Sequence, residues 1–467
     1  MSSIAAVTGP WLGDACSLVD AMRAGDITPS EAAEASLAAV EASALNAFSY
    51  LDADGARQRA AAADPSLPFG GVPVGVKELN AVAGWPDTEA SLVFRDRLST
   101  YTNTWAERLV AAGANLIGLC TASEFGGLNI SITKLNGITR NPWNTEKTAG
   151  GSSGGSSAAV AGGLVPIASG GDGGGSIRIP AAFNGLLGMK GTAGRIPRGP
   201  RTHIAPLTVV LGCQARSVRD AARWYDVCAG HDRRDPYSLP KIEGWERGLG
   251  SHELRGRRVV ISPDLGSAVV RPEVAALVAE QAELLAQDAG LELVDVPVKM
   301  PQLSYEWAMS NLVTEWQKVK DLWPGCKDDL TEEMAFGFQI AKDVYDLDMA
   351  ARVEEQRTEA NELMAELFDE VDFVISATNP DVAFPAQISV NTRVGDVQVG
   401  IENNGALTIP ANVVGNPSVS IPIGTIDGLP VGMQVMGRHH DDPLLFDLAL
   451  TVERERPWPL VAPGAPL

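Results

Sequence analysis

Two runs, Gly150-Gly151-Ser152-Ser153-Gly154-Gly155-Ser156 and Gly170-Gly171-Asp172-Gly173-Gly174-Gly175-Ser176-Ile177-Arg178, decide how this 467-residue chain is read. Glycine lets backbone approach a ligand closely and adopt positive φ, so such runs build anion or oxyanion sites from N–H groups. A flexible linker is the bland alternative. Against it, the apolar, helix-forming residues 158–165 separate the runs, and Ile177-Arg178-Ile179-Pro180 ends the second. A phosphate-binding P-loop needs Gly-Lys-Ser/Thr after the glycines, and none is present. Gly-x-Ser-x-Gly occurs around both Ser152 and Ser153, but a nucleophile elbow also needs a downstream acid and a histidine base. None of the five histidines (His203, His231, His252, His439, His440) has a setting that suggests one. The adjacent pair at 439–440 is read as loop, with no metal.

Outward from the runs, helices alternate with apolar strands. Thr28-Pro29-Ser30-Glu31 is a capping box with proline at the first helical position, and an alanine-rich helix follows to about Ser43. Residues 72–76 and 115–120 read as strands, with a helix over 105–112 stopped by Gly113. Further strands are predicted at 257–262, 291–298, 371–377, 418–423 and 431–436, with a helix at 272–288. This alternation predicts an α/β protein with a parallel or mixed sheet. Residues 301–366 break it and read as a helical insertion.

Composition narrows the function. Against 37 Lys and Arg stand 58 Asp and Glu, a net charge of −21, which disfavours nucleic acid and anionic membrane surfaces. No stretch reaches the length of a membrane span, and the start, Met1-Ser2-Ser3-Ile4-Ala5-Ala6-Val7, lacks the basic region of a signal peptide. Cys16, Cys120, Cys213, Cys228 and Cys326 are odd in number and show no CxxC spacing, as expected for free thiols in a reducing cytoplasm.

The chain resembles the amidase signature family of serine hydrolases. The resemblance rests on both runs, on the 24-residue step from Ser152 to Ser176, and on flanking segments over most of the chain. These are Gly71-Val72-Pro73-Val74-Gly75-Val76-Lys77-Glu78, Arg140-Asn141-Pro142-Trp143, Ala215-Arg216-Ser217-Val218-Arg219-Asp220 and Gly428-Leu429-Pro430-Val431-Gly432-Met433-Gln434. It implies a single domain over 1–467, with a central mixed sheet covered by helices on both faces. Residues 1–70 form an N-terminal helical segment, and 300–370 a variable helical insertion near the substrate pocket. It also implies a Ser-Ser-Lys triad: Ser176 as nucleophile, Ser152 as relay after a cis Gly151–Ser152 peptide, and Lys77 as base. Gly173, Gly174 and Gly175, with Ser176, would donate N–H groups to the oxyanion. Ser153 is expected to hydrogen-bond the lysine, and Asp172 and Arg178 to brace the loop. Gly171 and Gly191 depart from the family's usual residues, which bears on loop rigidity and substrate preference rather than on the triad.

Physical chemistry sets one condition on these roles. A base must be neutral, whereas a free lysine titrates at about 10.4. Burial lowers that value, and residues 72–76 before Lys77 are uncharged and apolar. Glu78 would raise it, but in an extended chain Glu78 points to the opposite face.

The implied activity is hydrolysis of a carboxylic amide, without cofactor or metal, on a small-molecule substrate. Its acyl group is expected to be apolar or aromatic, since the variable segment carries Trp307, Trp316, Phe336 and Phe338 as pocket candidates. A homodimer is the assembly that the resemblance suggests. The competing reading is the glutaminase (A) subunit of a tRNA-dependent amidotransferase. Residues 337–345 lack the Lys-Arg-Arg-rich helix expected of that component.

Overall fold

A computed structural model describes residues 9–202 and 207–467, so the Met1–Val7 stretch and His203 lie outside the described residues. The local signals act where the sequence has them. Thr28 accepts from the Glu31 N–H while Glu31 accepts from the Thr28 N–H, which starts the helix Pro29–Ala42. Gly290, at φ 67°, caps the helix Pro272–Ala289 in the left-handed conformation that glycine adopts without a steric penalty.

Eleven strands form one mixed sheet. In spatial order these are Phe48–Leu51, Asn115–Cys120, Pro73–Lys77, Ile167–Asp172, Val210–Ala215 and Leu187–Lys190, then Ser418–Ile426, Leu429–Gly437, Phe373–Ala377, Arg258–Ile261 and Glu292–Leu293. The strand ending at Lys77 lies parallel to both neighbours, with Val74 opposite Ile167 and Pro73 opposite Asn115. Antiparallel pairs follow from Ile167–Asp172 as far as Phe373–Ala377. The expected strand at 291–298 is reduced to Glu292–Leu293. It is the last strand at that edge of the sheet, where the ladder goes one step further through the Val294 N–H to the Val259 carbonyl at 3.0 Å.

Helices cover both faces. Gly154–Ala161 and Pro29–Ala42 share one apolar cluster with the sheet, whereas Val218–Cys228, Pro272–Ala289 and Asp442–Glu455 share a second, larger one. Every residue of Gly154–Ala161 is buried, and its Gly, Ser and Ala side chains are small enough to let it lie close on the strands.

Residues 304–370 carry three helices, Ser304–Val319, Glu332–Val344 and Leu347–Glu370. Trp316, Trp323 and Phe338 meet Phe125 in a cluster between the first two helices and the body. The buried Glu124 carboxylate fastens this segment to the body. It accepts from the Thr331 N–H at 2.8 Å and hydroxyl at 2.7 Å, and from the Ser91 hydroxyl at 2.6 Å. Among the described residues no helix is long and apolar enough to cross a membrane.

Candidate active site

Because Pro73–Lys77 and Ile167–Asp172 run parallel side by side, Lys77 and Asp172 emerge at the same edge of the sheet. Ligands bind in open α/β sheets at such carboxyl ends. The Lys77 amine, 3% exposed, donates to Ser152 Oγ at 2.7 Å and to the Gly171 carbonyl at 3.2 Å. Burial lowers its pKa to about 7, against a smaller upward pull from Asp172. Glu78 does turn away from it: its carboxylate accepts from the Thr88 hydroxyl and the Asn136 amide.

Ser152 and Ser176 are brought together through backbone. The Gly151–Ser152 peptide is cis, and the N–H of the next residue, Ser153, donates to the Ser176 carbonyl at 3.3 Å. Ser176 itself lies half-buried between the strand Ile167–Asp172 and the helix Arg178–Asn184. The Ser153 side chain does not reach the lysine as expected. Its hydroxyl lies 3.3 Å from the Gly171 N and 3.4 Å from the Gly171 O, so it holds the carbonyl that Lys77 also uses.

Asp172 and Arg178 are both completely buried and form an ion pair at 2.9 Å. Asp172 also accepts from the backbone N–H groups of Gly175, Ile177 and Arg178, and from the Asn412 amide. Burial alone would raise its pKa; the Arg178 guanidinium and these donors outweigh burial and hold it well below the carboxylate range. Arg178 continues to Gln434 at 2.7 Å, Asn412 at 2.6 Å and the Thr408 carbonyl at 3.0 Å. The pair therefore ties the second glycine run to segments more than 200 residues later. Of these partners only Gln434 falls in a segment quoted for the resemblance. Thr408 and Asn412 were missed, and a lone polar residue within Ile409-Pro410-Ala411-Asn412-Val413-Val414 was the available signal.

The expected oxyanion donors need one correction. The Gly175 N–H is committed to Asp172 Oδ1 at 2.7 Å. The N–H groups of Gly173, Gly174 and Ser176 have no acceptor among the described residues.

The four pocket candidates part company. Trp307 reaches the site: its indole N–H donates to the Gly173 carbonyl at 2.7 Å, and its ring covers Gly174. Trp316 and Phe338 belong to the cluster behind Phe125, with Phe338 fully buried. Phe336 is 68% exposed and points to solvent. On a helix, residues two apart face nearly opposite ways, so burying Phe338 turns Phe336 outward. At 439–440 the rings have separate partners, the Val414 carbonyl and Arg195. A surface cleft of about 790 Å³, lined by Asp14, Arg247, Arg454 and Trp458 among others, includes no residue of the Lys77–Ser152–Ser176 group.

Comparison with known proteins agrees with this geometry. The Amidase family model matches residues 31–446. The glutamyl-tRNA(Gln) amidotransferase A subunit of Lacticaseibacillus paracasei is 30% identical over 480 residues, covering 96% of this chain and 98% of the relative. Among solved structures, a bacterial aryl acylamidase of the amidase signature family superposes with a TM-score of 0.90 at 28% identity, covering 98% of this chain and all of the other. A 6-aminohexanoate cyclic dimer hydrolase bound to its substrate superposes at 0.89 and 26% identity, with the same coverage. A buried lysine touching a serine beside a glycine-rich loop, on a sheet shared with these enzymes, leads to one statement: the chain belongs to the amidase signature family and is an amide-hydrolysing enzyme.

Proposed function

We propose that this enzyme is a stand-alone amidase, a single domain that splits a carboxylic amide into acid and ammonia or amine through an acyl-enzyme on Ser176. The observation that carries the reading is the 2.7 Å contact from Lys77 to Ser152, made by an amine whose pKa burial lowers to about 7. In the neutral form Lys77 takes the Ser152 proton, and Ser152 takes the proton of Ser176. Ser176 Oγ attacks the carbonyl carbon, and the oxyanion meets the N–H groups of Gly173, Gly174 and Ser176. The proton returns by the same path to the leaving nitrogen, the C–N bond breaks, and water then repeats the sequence to release the acid. Apolar side chains beside the loop (Trp307 over Gly174, Val209 against Gly173, Leu211 against Gly171) support an apolar or aromatic acyl group.

A second reading, the glutaminase component of an amidotransferase, is favoured by the Lacticaseibacillus relative. The test is ammonia or amine release from aliphatic, aryl and peptide-like amides and glutamine, by the purified chain alone with Ser176→Ala as blank. Turnover of aryl or apolar amides is the expected result. Activity on glutamine alone, or none until partner proteins are added, supports the second reading.

A further inference from the structure

In the second glycine run the carbonyls of residues 172–175 are all held, whereas three of the four N–H groups that follow them are not. The Asp172 carbonyl accepts from the Asn412 amide at 2.9 Å, Gly173 from the Trp307 indole at 2.7 Å, Gly174 from the Thr408 hydroxyl at 2.6 Å, and Gly175 from the Ile179 N–H at 2.7 Å. Four consecutive carbonyls are thus held. All four peptides are trans, since no cis bond falls between residues 172 and 176. In a trans peptide the carbonyl and the following N–H point opposite ways, so fixing one aims the other. The four held carbonyls aim the N–H groups of Gly173, Gly174, Gly175 and Ser176. The Gly175 N–H is anchored on Asp172, and the other three have no acceptor among the described residues.

We propose that Trp307 is a positioning residue that aims the oxyanion-binding N–H of Gly174 by holding the Gly173 carbonyl from behind. The role rests on the reading of Ser176 as nucleophile. Trp307 stands on the helix Ser304–Val319, whereas Thr408, just before the helix Ile409–Val414, holds the next peptide, whose N–H, that of Gly175, is already on Asp172. The grip also accounts for the glycine at 174, where a Cβ would lie 2.5 Å from the Trp307 ring. Trp307 therefore links the helical segment expected to shape specificity to the donors that stabilise the intermediate. A preorganised donor contributes only while it stays aimed, and its loss is felt in the transition state more than in substrate binding.

The test separates aim from binding. Trp307→Phe keeps a ring over Gly174 and removes the N–H; Trp307→Met removes the N–H on an apolar side chain without a ring. With 4-nitroacetanilide or the best amide of the panel, each donor-less variant should lose roughly tenfold or more in kcat with KM within about twofold. Affinity for phenylboronic acid, which forms a tetrahedral anion on serine, should fall in parallel with kcat. Wild-type kcat and boronate affinity in Trp307→Phe and Trp307→Met, or a loss confined to KM, overturns the role. Should one of the two fail to fold, the other still decides. A fully active Ser176→Ala protein overturns the serine reading instead, and the positioning role with it.

Discussion

Lys77 has a hydroxyl and a carbonyl oxygen on its amine and, among the described residues, no carboxylate paired with it, so burial prevails over the charge of Asp172. The amine is a base only without its proton, so kcat/KM should rise with pH through about 7 and level off above it. A profile flat from pH 5 to 9, on the same panel substrate, contradicts the assignment. Lys77→Met should lower turnover roughly 10³-fold or more. Stability should move the other way. The lysine titrates at about 10.4 when unfolded and at about 7 when folded, so the unfolded chain binds more protons between those values. The cost of burying the charge is fully present below pH 7 and is relieved as pH rises towards 10. Lys77→Met should therefore melt higher than the wild type at pH 6, with the gap closing by pH 10. At this scale the placing of Lys77 against Ser152 was legible through the family resemblance, whose quoted segments hold both residues. What Ser153 and the Gly175 N–H do was not, because each choice depends on which neighbour the folded chain brings nearest.

Between elements, the tether from Glu124 to Thr331 is the contact with the clearest consequence. Its carboxylate takes both the N–H and the hydroxyl of Thr331, whose hydroxyl also caps the helix Glu332–Val344 by accepting from Met334. Glu124→Ala leaves the Ser91 hydroxyl and both Thr331 donors short of an acceptor, a loss of about 1–3 kcal/mol. Amide exchange should quicken across residues 331–344 and stay unchanged in the strand Ile167–Asp172. Uniform quickening of both would count against a local tether. The sequence announced the strand Asn115–Cys120 to the residue, since the uncharged run 116–120 follows closely on a helix-stopping glycine. It also announced the helices of the 304–370 segment. It could not say which aromatics of that segment face the catalytic loop, because facing depends on how helices pack rather than on where aromatics fall. Hence Phe336 and Phe338 look alike in the chain and differ completely in the fold.

In the whole molecule, alternation implied an α/β protein with a parallel or mixed sheet and the resemblance a mixed sheet covered by helices, but neither gave the order of its strands. Leu187–Lys190 sits between Val210–Ala215 and Ser418–Ile426, a pairing across more than 200 residues that no local pattern encodes. The buried amine of Lys77 also bears on how the reaction ends. Hydrolysis leaves a carboxylate where a neutral amide entered. At alkaline pH the amine is uncharged and offers the new carboxylate no counter-charge. In mildly acidic solution the same amine becomes a sheltered ammonium beside the newly formed anion. Inhibition by the released acid should therefore tighten as pH falls from 8 to 6, measured with the acid of whichever amide the enzyme turns over best. Inhibition equal at both pH values would mean that the ammonium and the product never meet. A residue kept neutral for one proton transfer would then also set the direction of traffic, letting the product leave only while the base is ready for its next turn.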